Sequence, residues 1–190
     1  MTSVTPRQRL STRQFCVGVV VVALVYLLFF RLNAWLFDWV KVSDYISWVF
    51  LPAAIRMLAV LLLGWAGVIG LYLGSLTQLG PTLATDPVNA LALAAVSSLP
   101  CLVAARIVQR VQGVGADLAG MTGRQLLICG LAGGLASSAA HTLYFALIAL
   151  STTPLAGFLP MLVGDTVGML LMLYLAAIVL HRLRLPSREE

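Results

Sequence analysis

What this chain has least of is charge. Only 10% of its 190 residues are Asp, Glu, Lys or Arg, while 61% are hydrophobic and the mean hydropathy is +0.99. Soluble domains carry about 25% charged and about 45–50% apolar residues. Twelve basic and seven acidic side chains could not cover the apolar surface that a water-soluble core of this length leaves outside. A soluble fold is therefore excluded, and the class expected is an all-α, polytopic transmembrane helix bundle with lipid as its solvent. Cysteine is scarce too. Cys16, Cys101 and Cys129 each lie in an apolar run without CxxC or Cys/His spacing, which excludes a disulfide framework and a zinc site and leaves them as small core hydrophobes. The chain has two histidines, no GxSxG, HExxH or P-loop, and no second intramembrane carboxylate to pair with Asp165 as a protease dyad. Neither catalysis nor a metal or other cofactor is expected. The net charge of +5 does not signal nucleic acid, because the basic residues fall at the ends of apolar runs, a topological pattern.

What is present in abundance is long apolar sequence. A crossing helix needs about 20 apolar residues, and six segments qualify: Phe15 to Phe37, Trp48 to Gly64, Ala66 to Leu79, Val88 to Ile107, Gln125 to Leu150 and Phe158 to Leu180. The second and third are short and close together, so they form either a tight pair of tilted spans or a re-entrant hairpin. The basic N-terminal stretch resembles a signal peptide, but no small-residue cleavage site follows, and the first span is expected to remain uncleaved. Val108 to Gly123, with four glycines, reads as a flexible connector.

Lys and Arg are retained on the cytoplasmic side. With the N-terminus inside, Arg7, Arg9, Arg13, Arg106, Arg110, Arg124, Arg182, Arg184 and Arg188 are cytoplasmic, nine of the twelve basic residues. Trp35, Trp39 and Trp48 then mark the outer interface, where amphipathic rings settle. The organisation expected is a cytoplasmic tail 1–14, a bundle 15–181 and a cytoplasmic tail 182–190, in the bacterial inner membrane.

An ionisable side chain inside a span costs about 2.5–3.5 kcal/mol on insertion scales. Three residues incur that cost: Arg56, His141 and Asp165. Counted from the outer ends of their segments at about 1.5 Å per residue, all three lie roughly 10–14 Å deep. Ser97, Ser98 and Tyr144, which shares a helix face with His141, fall near the same level. Three readings stay open here: a structural Arg56–Asp165 pair with His141 bonded to a hydroxyl, a polar pocket open to the outer side that receives a small anionic ligand, or a proton relay. Gly70 and Gly74, Gly133 and Gly134, and Gly164 and Gly168 mark small-residue helix-packing faces. Pro52, Pro100 and Pro160 read as helix kinks.

The run Trp48-Val49-Phe50-Leu51-Pro52-Ala53-Ala54-Ile55 leading into Leu61-Leu62-Leu63-Gly64-Trp65, then Gly70-Leu71-Tyr72-Leu73-Gly74-Ser75, resembles the opening hairpin of bacterial membrane-associated sensor (MASE-type) domains. Gly164-Asp165-Thr166-Val167-Gly168 is similar to their closing Gly-Asp-x-x-Gly helix. The resemblance extends from about Ile46 to Leu180. It implies an inner-membrane sensory module of the kind that precedes diguanylate cyclases, phosphodiesterases and histidine kinases. The sequence differs in having a single proline followed by alanine at Pro52-Ala53, and Arg56 where an apolar residue is expected. Without an output domain, a signal is expected to leave through a membrane or cytoplasmic protein partner. The leading expectation is thus a stand-alone sensor-like protein that binds a small ligand or partner helices. A substrate-binding subunit or small transporter, and a structural or assembly protein, are the alternatives.

Overall fold

The computed structural model describes residues 10–43, 46–113, 121–148 and 154–183. Seven α-helices occur among them, α1 Thr12–Phe37, α2 Pro52–Leu63, α3 Trp65–Gln78, α4 Gly80–Thr85, α5 Pro87–Gln112, α6 Gly123–Leu147 and α7 Pro154–Leu183. A short antiparallel ribbon, β1 Lys41–Ser43 with β2 Ile46–Ser47, joins α1 to the hairpin that follows. The chain folds as a polytopic transmembrane helix bundle. The helices α1, α5 and α6 are long and apolar enough to cross a membrane by length and composition, and α2 and residues 156–172 of α7 form shorter apolar helices.

Each helix start has a local cause. Ser11 and Gln14 form a capping box at α1, and Thr122 and Gln125 form one at α6, each satisfying two orphan N–H groups. Asp86 caps α5 through the Asn89 N–H. Proline stands in the first turn of α2, α4 and α5, where its missing donor costs nothing. The turn between α2 and α3 is the single residue Gly64, at φ 56° and ψ −118°, a conformation that L side chains rarely adopt.

The order of contacts along α1 and α3 gives the architecture. Gly18 meets Leu63 and Ala66, Gly70 meets Val19 and Val22, and Gly74 meets Tyr26 and Ala23, so the two helices run parallel. The Gly64 turn therefore reaches the level of Gly18, six residues into α1. The hairpin starts at Leu51, whose N–H bonds Asn33. Fifteen residues of α1 separate these levels, about 22 Å, against a hydrocarbon core of about 30 Å. The hairpin penetrates most of the bilayer thickness, and the residues before it supply the rest.

Those residues depart from expectation. The second segment is helical only from Pro52. Trp48 to Leu51 lie outside any regular helix, bending at Trp48 and turning into α2 at Leu51, as a strap laid along α7 from the ribbon inward. The strap can be non-helical because every N–H in it finds a partner: Trp48 bonds Val40 O, Val49 bonds Ser47 Oγ, Phe50 bonds Gly164 O at 3.0 Å and Leu51 bonds Asn33 Oδ1 at 2.8 Å. Its seat is a glycine face. A Cβ at Gly164 would collide with Ser47 O, and one at Gly168 with Phe50 O.

Two further expectations need correction. Val108 to Gln112 continue α5, so the connector is shorter than its glycines suggest; residues 114–120 lie outside those described. The helix α1 starts at Thr12 and α7 ends at Leu183; Arg7, Arg9, Arg184 and Arg188 lie outside the described residues. Cys101 and Cys129 are buried, but Cys16 is exposed. The reason is that α1 buries only the line Gly18, Val22, Tyr26, Asn33, and presents Val17, Val20, Val21, Leu24 and Leu28 outward.

Candidate functional site

Four helices carry the polar residues to one place. Arg56 lies in the second turn of α2 and points toward α6 and α7. Its Nη1 donates to Ser137 Oγ at 2.8 Å and its Nη2 to Asp165 Oδ1 at 3.1 Å, with both partners of the ion pair about 95% or more buried. The guanidinium carbon also stands 4.8 Å from the centre of the Phe50 ring, a cation–π contact made by the strap.

His141 joins through the same serine. Its Nδ1 lies 2.8 Å from Ser137 O, and since a carbonyl only accepts, that nitrogen carries the proton. Its Nε2 shares a 3.2 Å hydrogen bond with Ser97 Oγ of α5. Ser137 thus receives Arg56 on its side chain and His141 on its carbonyl.

The structure separates the other two candidates from this cluster. Ser98 turns its hydroxyl back to Ala94 O within its own helix. Tyr144 donates to Asn89 Oδ1 at 2.7 Å, toward a small apolar cluster of Leu93, Phe145 and Met161. The packing glycines divide by what they admit. Gly70 accepts Val19 O and the Val22 side chain of α1, Gly74 accepts Tyr26, Gly133 accepts the Met57 side chain, Gly134 faces Asp165 Cβ, and Gly164 and Gly168 accept the backbone of the strap.

Above the ion pair lies a cavity of about 370 Å³, in the range of small-molecule sites. Arg56, Asp165, His141 and Ser97 line its deep end, and Lys41, Ser43, Pro81 and Thr82 its ribbon end. Trp35, Trp39 and Trp48, all exposed, belong to the same end of the molecule as the ribbon. Phe30 and Phe50, whose rings meet edge-to-face at 6.1 Å, form part of the wall. Three polar atoms at the cavity residues are buried without a hydrogen-bond partner: Arg56 Nε, Ser75 Oγ and Gln78 Nε2. No group of three or more metal-ligating side chains occurs among the described residues.

Sequence reasoning passed over Ser137, Asn33, Phe50 and Gln78. Ser137 had a signal, being four residues before His141 and so on its face. Asn33 was readable as a polar residue in an apolar run. Phe50 and Gln78 matter only through neighbours distant in sequence, and nothing local marks them.

Comparison with known proteins gives one finding. The family model MASE1 matches residues 20–190, whereas no curated protein and no solved structure matches.

Proposed function

Because the chain belongs to the MASE1 family of membrane-associated sensor domains, we propose that its bundle senses, without catalysis, a small ligand taken up from the outer side of the bacterial inner membrane. The observation that carries this reading is the cavity with Arg56, Asp165, His141 and Ser97 at its deep end. Insertion costs make such residues expensive in a structure that needs only to span lipid. The orientation follows from the basic residues: with both termini cytoplasmic, the ribbon and the exposed tryptophans face outward, and the cavity opens there.

The route from cavity to interior is short in this reading. Arg56 and Asp165 join α2 to α7, and Phe50 touches the cavity, the guanidinium and α7 at once. A ligand that changes how Arg56 is held would shift α7 against the strap, and α7 leads to the cytoplasmic side. A membrane or cytoplasmic protein partner receives the change.

The test compares the purified chain in lipid nanodiscs with the double variant Arg56→Met/Asp165→Leu, which keeps an apolar contact in place of the pair. The low-molecular-mass fraction of a periplasmic extract should raise the thermal midpoint of the wild type by mass action and leave the variant unmoved. An equal rise in both would sink the cavity as the sensing site.

A further inference from the structure

An arginine at the end of a cavity suggests an anionic ligand, but the charges argue against one. The positive charge of Arg56 is already opposed by Asp165 at 3.1 Å, and that of Lys41, at the ribbon end, by Asp38. His141 meets a carbonyl and a hydroxyl, with no carboxylate in ion-pair contact among the described residues. A carboxylate brought to Arg56 would have to share the guanidinium with Asp165 in a desolvated site, where an uncompensated charge is costly.

What the site leaves open is hydrogen-bond donation. A guanidinium has five N–H donors and no acceptor. Arg56 uses donors on Nη1 and Nη2, while its buried Nε has no acceptor. Gln78, at the end of α3 and lining the same cavity, likewise has a buried Nε2 without a partner. A buried donor left unpaired costs about 1–3 kcal/mol, so Arg56 Nε and Gln78 Nε2, with the unpartnered Ser75 hydroxyl on the same cavity, favour an occupant that brings acceptors. The walls between them are apolar and partly aromatic, with Phe30, Phe50, Leu79, Leu93 and Met161.

Resting on the reading above that the cavity is a ligand site, we propose that it takes an uncharged, flat, apolar molecule bearing a carbonyl oxygen, which accepts from Arg56 and Gln78. Selection is by acceptor and not by charge. The ring of such a molecule lies against Phe30 and Phe50 while its oxygen enters the polar end.

Three probes of nearly one shape test this: 2-acetylnaphthalene, 2-naphthoate and 2-ethylnaphthalene, which present a ketone, a carboxylate and no acceptor. Each is titrated against the full chain in nanodiscs, with the thermal midpoint and tryptophan fluorescence as readouts. The ketone should bind saturably, and about tenfold more tightly than the ethyl compound, the worth of about one net hydrogen bond. Gln78→Leu should weaken the ketone by a similar factor and leave the ethyl compound unchanged, with the apo midpoint showing that the variant folds. Naphthoate binding as tightly as the ketone, or Gln78→Leu leaving ketone binding unchanged, overturns the proposed class while the ligand-site reading stands. If no probe binds saturably and the extract moves wild type and double variant alike, the underlying reading falls as well.

Discussion

The helices α1 and α7 flank the same hairpin and hold it by different physics. Along α1 the seam is helix on helix: Gly70 of α3 sits against Val19 O and the Val22 side chain, Gly74 against Tyr26, and the side chains that meet there are apolar or aromatic. Along α7 the seam is backbone on backbone. Gly164 and Gly168 admit the strap itself, Phe50 N–H bonds Gly164 O, and Asp165 on the same turn pairs with Arg56. Dispersion tolerates small readjustment, since many weak contacts share the change. A hydrogen-bonded strap and a buried ion pair have directions and partners, and tolerate little. The α7 side is therefore the half of the molecule where a small displacement has a defined result.

The comparison can be broken most forcefully at Asp165. Asp165→Leu alone leaves Arg56 buried and unpaired, at an expected cost of about 3–5 kcal/mol. The double variant Arg56→Met/Asp165→Leu should recover most of that, as measured by denaturant titration of the purified protein in detergent. If single and double variants were equally unstable, the pair would not be what distinguishes the α7 seam.

Gly168→Ala comes next. Its Cβ has to displace Phe50 O, a backbone atom that cannot rotate away, and overpacking of this kind costs about 1–3 kcal/mol. Phe50 should also become more accessible, which hydrogen exchange across 46–51 would report. Asn33→Leu probes the other anchor of the strap. It removes the acceptor of the Leu51 N–H, and about 1–2 kcal/mol is expected from the orphaned donor.

The smallest effect is expected at Gly18→Ala on the α1 seam. The nearest atoms to its Cβ would be Leu63 Cδ1 at 3.5 Å and Ala66 Cβ at 3.7 Å, ordinary contacts. With the helical preference for alanine, the midpoint should hold or rise slightly. A loss as large as that of Gly168→Ala would erase the contrast between the two sides.

How much of this could be read from the sequence depends on the range of the cause. The six apolar segments were legible because lipid requires length and low charge, which are local properties. His141 and Asp165 lie in continuous helix, where a count at constant rise applies, whereas the count to Arg56 from Trp48 crosses the non-helical strap. The strap was hidden: Trp48 to Leu51 is as apolar as any helix. Gly164 and Asn33, 114 and 18 residues from the N–H groups they satisfy, allow a non-helical path there. Pro52 gave a partial warning, since proline is favoured in the first turn of a helix and so marks a start at that position. Ser137 is hard to single out because its neighbours Gly133, Gly134 and Ser138 are small too, the pattern of a packing face. Its role as a shared partner depends on two other helices.

The strap also has a consequence for biogenesis. Its Phe50 N–H and its glycine seat are completed by α7, which is synthesised about a hundred residues later. Until that last helix arrives, the hairpin has an unmet donor and an open flank, and water or another protein must shield them. A nascent chain halted before Gly164 is thus an intermediate that quality control can recognise, and the closing helix is the step that ends its vulnerability.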